Sequence, residues 1–183
     1  MVGEAAILID GGYLDNVNRD FFSSARIDFL KFSKEISTQY LSGMPIFRSY
    51  YYDAPPWNGP GADPKWVGRR NSFHSAISKL DGYMLRMGRL KKIANNSLKF
   101  VQKGVDVLIA IDIVKLSNQP NISHIVLISG DTDLAPAIKV ASDNYKKIVF
   151  IHSPNASCFS AELLQLADNH YPLTDAFIQK VIR

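Results

Sequence analysis

Ala5-Ala6-Ile7-Leu8-Ile9-Asp10-Gly11-Gly12 is a short continuous apolar run that stops at an acid and two glycines. An unbroken apolar run, unlike a strict apolar/polar alternation, is the pattern of a strand covered on both faces. The Asp-Gly-Gly that ends it reads as a tight turn. Ile125-Val126-Leu127-Ile128 repeats the pattern before Ser129-Gly130-Asp131, and Ile148-Val149-Phe150-Ile151 repeats it before Ser153-Pro154-Asn155. Residues 46–52, rich in Tyr and Phe, make a fourth candidate strand. Helical patterns lie between these runs, at residues 29–41, 66–80, 105–116, 134–143 and 161–167. Doubly buried strands alternating with helices predict an α/β fold on a parallel sheet.

Two segments interrupt the alternation. Residues 54–64 carry four prolines and two glycines in eleven positions and read as a loop. Residues 83–101, with Asn95-Asn96 near their centre, read as a β-hairpin or a strand with an insertion.

The chain has 183 residues, 46% of them hydrophobic and 21% charged, the profile of an ordinary soluble globule folded as one domain over residues 1–183. Its one cysteine, Cys158, excludes an internal disulfide framework and a thiolate-rich zinc site. The apolar run at residues 5–9 is too short for a secretory leader, and no stretch of about 20 apolar residues could span a bilayer. A cytoplasmic location is expected. The net charge is +4, yet ten Lys/Arg fall between Lys65 and Lys103 against one acid, Asp81. The remainder of the chain is acidic, so this basic middle suggests a surface facing a polyanion, against the simpler reading of a solvated face.

In an open parallel sheet the carboxyl ends of the strands share one edge, and ligands bind along it. Asp10 follows the first strand, while Asp131 and Asp133 follow the run 125–128. Asp106 falls in the first turn of the helix that feeds that run, so four acids from three distant segments are expected to converge. Carboxylates packed together need a proton or a cation to offset their repulsion. Oxygen donors without His or Cys point to Mg²⁺ or Mn²⁺, and phosphate esters are the common substrates of such sites. Each acid also has a simpler explanation: Asp131 or Asp133 as a helix cap, Asp10 as an Asx turn, Asp106 as a first-turn acid. Asp112 falls in the middle of an apolar helical stripe, so it is either a structural hydrogen-bonding group or one that orients a metal ligand. Ser129 and Thr132, which flank the acids, are placed with it as candidate supporting residues.

Other chemistries find less support. The histidines at 74, 124, 152 and 170 lack metal-ligand spacing, and neither GxGxxG nor GxxxxGK[ST] occurs. Tyr50-Tyr51-Tyr52 could stack bases, but alternate strand residues point to opposite faces, so packing is the simpler role.

Three motifs in order, Ile7-Leu-Ile-Asp-Gly-Gly-Tyr-Leu14, Lys103-Gly-Val-Asp106 continuing to Asp112, and Ile128-Ser-Gly-Asp-Thr-Asp-Leu134 with Pro136, resemble those of the NYN domain family of PIN-like, LabA-type proteins. The resemblance implies a three-layer α/β/α sandwich with a mainly parallel central sheet. It also implies a metal-dependent endoribonuclease that cuts in line to leave 5′-phosphate and 3′-hydroxyl ends. It carries Asp10, Asp106 and Asp131 over as ligands of Mg²⁺ or Mn²⁺, with Asp133 as the fourth acid and Lys103 as a phosphate contact. Arg69, Arg70, Arg86, Arg89, Lys91 and Lys92 are then candidates to bind the RNA backbone, in single-stranded or loop regions. The chain departs from the family pattern at Tyr13, where many members have Asn, and a phenol differs from an amide in reach and shape. The alternatives are a module that holds RNA or a protein partner, or pairs with a second copy, without cutting, and, more remotely, an Asp-dependent phosphatase built on Asp131-Thr132-Asp133. The latter pattern wants Thr or Val where this chain has Ala135.

Overall fold

The computed structural model describes residues 3–92 and 100–183. In chain order the elements of the first half are β1 (Glu4–Asp10), α1 (Gly11–Phe21), α2 (Phe29–Tyr40), β2 (Ile46–Asp53), α3 (Pro64–Ile77) and β3 (Tyr83–Met87). There follow β4 (Arg89–Lys92), β5 (Phe100–Lys103), α4 (Val105–Ser117), β6 (Ile122–Ile128), α5 (Ala135–Asp143), β7 (Lys147–His152), α6 (Ala161–Leu166), β8 (Asn169–Pro172) and α7 (Asp175–Val181). Six strands form one sheet in the order β3-β2-β1-β6-β7-β8, and every neighbouring pair is parallel.

The continuous apolar runs are explained by two cores, one on each face. In β1, Ala5, Ile7 and Ile9 point to the layer holding α1, α2 and α7, where Leu14, Phe32, Ile36 and Phe177 meet them. Ala6 and Leu8 point to the opposite layer, against Ile109 and Ile113 of α4, Ile138 of α5 and Leu163 of α6. Alternate side chains thus serve opposite cores, and each fully buried Leu or Ile contributes about 2 kcal/mol relative to exposure. The result is a three-layer α/β/α sandwich. The tyrosine triplet obeys the same rule: Tyr51 enters the first core, Tyr50 and Tyr52 the second.

Caps set several helix starts. Asp28 accepts the N–H groups of Leu30 (3.1 Å) and Lys31 (3.2 Å) to begin α2. Asp63 caps α3, and Pro64, the last residue of the Pro/Gly loop, takes its first turn, where no N–H is needed.

Several expectations are corrected. Asp10-Gly11-Gly12 is not a free-standing turn: the chain enters α1 directly, with Asp10 as its N-cap. Residues 83–87 do not belong to a hairpin but form β3, the sheet edge beside β2. The hairpin is confined to β4 and β5, antiparallel with Arg89 opposite Lys103, and the turn expected at Asn95-Asn96 lies outside the described residues. β8 and α7 carried no apolar run strong enough to announce them. Among the described residues no helix is long and apolar enough to cross a membrane.

β1 feeds connections that move outward through β2 to β3, whereas β6 starts the opposite progression to β7 and β8. The strand order therefore reverses between β1 and β6, and the crevice above their carboxyl ends is the topological switch point of the sheet.

Candidate active site

Asp10 ends β1 at that crevice. Its Oδ1 accepts the N–H of Tyr13 at 3.0 Å, and its Oδ2 accepts the hydroxyl of Ser129 at 3.2 Å. Ser129, fully buried after β6, also accepts the N–H of Asp131 at 3.3 Å, so one hydroxyl links the two acidic segments. Asp131 caps the short 3₁₀ turn Thr132–Leu134 and takes the N–H of Asp133 at 2.9 Å. Asp106 enters from the first turn of α4, launched by Gly104 in the left-handed conformation (φ 81°).

Asp10, Asp106 and Asp131 line one pocket of about 360 Å³ together with Gly12, Tyr13, Asn16, Gly130 and Cys158. Burial pushes the Asp10 carboxyl up to about 6, the negative charge of Asp106 adds to the rise, and the Tyr13, Ser129 and Gly12 donors oppose it. Asp106 is likewise raised, by burial first and then by the charges of Asp131 and Asp133. Three acids thus share one pocket, and Asp106 is the one whose charge meets those of both Asp10 and Asp131.

The expected four-acid cluster is looser than the sequence suggested. Asp133 is exposed and outside the pocket wall, and Thr132 is exposed beside it. Among the described residues no three His, Cys, Asp or Glu side chains are gathered closely enough to hold an ion by themselves. The donor chemistry still fits a hard ion: magnesium commonly keeps several waters and is held by one or two carboxylates plus substrate phosphate.

Asp112 lies apart from this pocket. It accepts Tyr52 Oη at 2.9 Å and both Nε and Nη2 of Arg86 at 2.9 Å, and among the described residues it has no hydrogen bond to a pocket acid. Arg86 and Arg70 are not free cations: Arg86 is spent on Asp112, and Arg70 bridges Asp15 (2.6 Å) and Asp53. Arg69, Arg89 and Lys103 are exposed, and the side chains of Lys91 and Lys92 lie outside the described ones.

The sequence reading overlooked Asn16 and Cys158 as pocket residues. Asn16 could have been found had α1 been assigned, because it sits three residues after Tyr13 on the same helical face. Cys158 carried no signal, since a separate loop brings it to the pocket. Tyr13 Oη accepts the N–H of Ser153 at 2.9 Å, and burial pushes its phenol up to about 12, so it remains protonated. Its ring lies over Gly130, where an added Cβ would stand 2.6 Å from the ring and 2.6 Å from the Cys158 carbonyl oxygen. Gly130→Ala is therefore expected to destabilise the fold by about 1–3 kcal/mol. Thermal melting checks this, and an unchanged Tm would mean that the contact is slack.

A parallel α/β/α sandwich carrying acids at the switch point between its first strand and β6 is the architecture of a PIN-like domain. The profile described as NYN domain matches residues 4–174. The chain belongs to the NYN domain family, a PIN-like nuclease family that is generally dependent on divalent metal. Over 69 residues it is 36% identical to a protein of Sinorhizobium fredii (strain NBRC 101917 / NGR234) described as "Uncharacterized protein y4oD". That match takes in 38% of this chain and 29% of the relative, so the chain covers less than a third of that protein.

Proposed function

We propose that this protein is an endoribonuclease dependent on Mg²⁺ or Mn²⁺, cutting RNA at the pocket of Asp10, Asp106 and Asp131. The observation that carries the reading is that three acids from separate segments line one 360 Å³ pocket at the sheet's switch point, in a chain of a nuclease family. Asp10, Asp106 and Asp131 would hold the ion, with Asp133 at the rim adding negative charge. When bound, the ion supplies charge neutralisation at the scissile phosphate and acidifies water for attack. Ser129 fixes the Asp10 carboxylate through its hydroxyl and the Asp131 backbone through its lone pair, so the two acids keep their relative placement. Tyr13, pinned by Ser153, shapes the wall and leaves Asn16 to meet the substrate. Arg69, Arg89, Lys91, Lys92 and Lys103 would attract the RNA backbone, an interaction weakened by salt. Single-stranded or looped RNA suits a pocket at a sheet edge better than a long duplex.

Cleavage of a labelled RNA should require Mn²⁺ or Mg²⁺, stop with EDTA, and vanish in Asp10→Asn and Asp131→Asn. Equal background in all samples would sink the nuclease reading. A second reading, RNA binding without cutting, draws on the loose spacing of the acids. Salt-sensitive RNA binding with no metal-dependent cleavage would select it.

A further inference from the structure

A second cavity, of about 440 Å³, opens between α1 and α3, away from the acidic pocket. Six of its lining residues, Asp15, Arg26, Phe29, Arg70, Phe73 and Arg183, differ in chemistry in a way that restricts what could fill it. Arg26 and Arg183 are brought side by side by the bridge between Ile27 and Ile182 and by the Arg183 N–H donated to the Arg26 carbonyl at 2.9 Å. Among the described residues neither guanidinium has an ion-pair partner. Two arginines on paired backbone positions, both lining the cavity and neither in an ion pair among the described residues, favour an anion, and the guanidinium's fork of donors matches a phosphate.

Deeper in, Arg70 is locked between Asp15 and Asp53, with its guanidinium 5.0 Å from the Phe73 ring centre. Asp15 gives one oxygen to Arg70 at 2.6 Å, yet its side chain stays 46% exposed, so it can accept hydrogen bonds from a ligand. Phe29 and Phe73, whose ring centres lie 5.8 Å apart, supply an apolar wall. The cavity has the size of an ordinary small-molecule site.

We propose that this cavity binds a nucleoside 5′-phosphate. Its phosphate sits on Arg26 and Arg183, its ribose hydroxyls or base N–H groups donate to Asp15, and its base lies against the aromatic wall. The unit can be a free mononucleotide or the 5′-terminal residue of an RNA strand. The site shares none of the three acids of the proposed metal pocket, so it stands whether or not the protein cuts RNA.

Titration calorimetry in EDTA tests this with uridine and adenosine 5′-monophosphates, inorganic phosphate, and one oligoribonucleotide bearing either a 5′-phosphate or a 5′-hydroxyl. The nucleotides should bind more tightly than phosphate. Joint replacement Arg26→Gln and Arg183→Gln, both on exposed side chains, should weaken them about tenfold or more. Preference for the 5′-phosphorylated strand over both mononucleotides, lost in the same double variant, assigns the site to RNA ends. Preference for the mononucleotides assigns it to a free ligand. The proposal is overturned by no binding of any probe, by phosphate binding as well as the nucleotides, or by affinities that the double variant leaves intact.

Discussion

Asp10→Asn is expected to remove metal-dependent RNA cleavage by at least about a thousandfold, the scale on which charge-stabilising groups act in such sites, while making the metal-free fold more stable at neutral pH. The two effects have one cause. Burial, with Asp106 nearby, raises the Asp10 carboxyl from 3.8 to about 6. The folded state therefore holds this proton more tightly than the unfolded chain, so the stabilising protonated form is fully present below pH 3.8 and is lost as pH rises through about 6. Fully counted, a shift of that size corresponds to about 3 kcal/mol, and partial solvent access reduces the expected gain in Asp10→Asn at pH 7.5 to roughly 1–2 kcal/mol. An Asn side chain can still cap α1, so the helix start is kept. Thermal melts in EDTA across pH 4 to 8 should show the wild type losing stability with rising pH and the variant losing less. Added Mn²⁺ should raise the wild-type Tm by mass action and the variant's Tm much less. A variant less stable than wild type at neutral pH would show that Asp10 is not under electrostatic strain.

The largest effect on folding is expected at Asp53. This carboxylate, 1% exposed at the end of β2, accepts Arg70, His74 Nε2 at 2.6 Å and the Ala54 N–H at 2.7 Å. Asp53→Ala leaves the buried His74 imidazole, the Ala54 N–H and the side of the Arg70 guanidinium not held by Asp15 without an acceptor. Breaking one side of a buried pair costs about 3–5 kcal/mol, which for a chain of this size lowers Tm by roughly 10 °C. Asp53→Asn, which keeps an acceptor, should lose less. Calorimetric melting of both variants checks this, and a loss below about 1 kcal/mol in the alanine variant would mean that water reaches Arg70 and His74 and replaces the carboxylate.

Asp53 also shows where reading the chain alone failed. Arg70 and Arg86 were legible as cations in a basic segment, but what neutralises them was not, because Asp53, Asp15 and Asp112 are supplied by other elements. The segment from Lys65 to Lys103 is accordingly less basic on the surface than its ten Lys/Arg suggest. The helix α1 was hidden by two glycines that ordinarily mark a turn. Gly11 is there because a Cβ would stand 2.6 Å from the Tyr51 ring, a contact visible only once β2 lies beside β1.

By itself the sequence determined the α/β class and the acids at the ends of its strands. Short unbroken apolar runs bounded by turn residues and alternating with helical patterns fit strands of a sheet covered on both faces, and parallel connections then place the carboxyl ends of those strands on one edge. Only the tertiary structure decided that Asp10, Asp106 and Asp131 share a pocket while Asp133 stays at its rim and Asp112 is turned to Arg86. Those outcomes depend on distances between residues separated by up to 123 positions, and a linear pattern carries no information on which partners burial will bring within a hydrogen bond of one another.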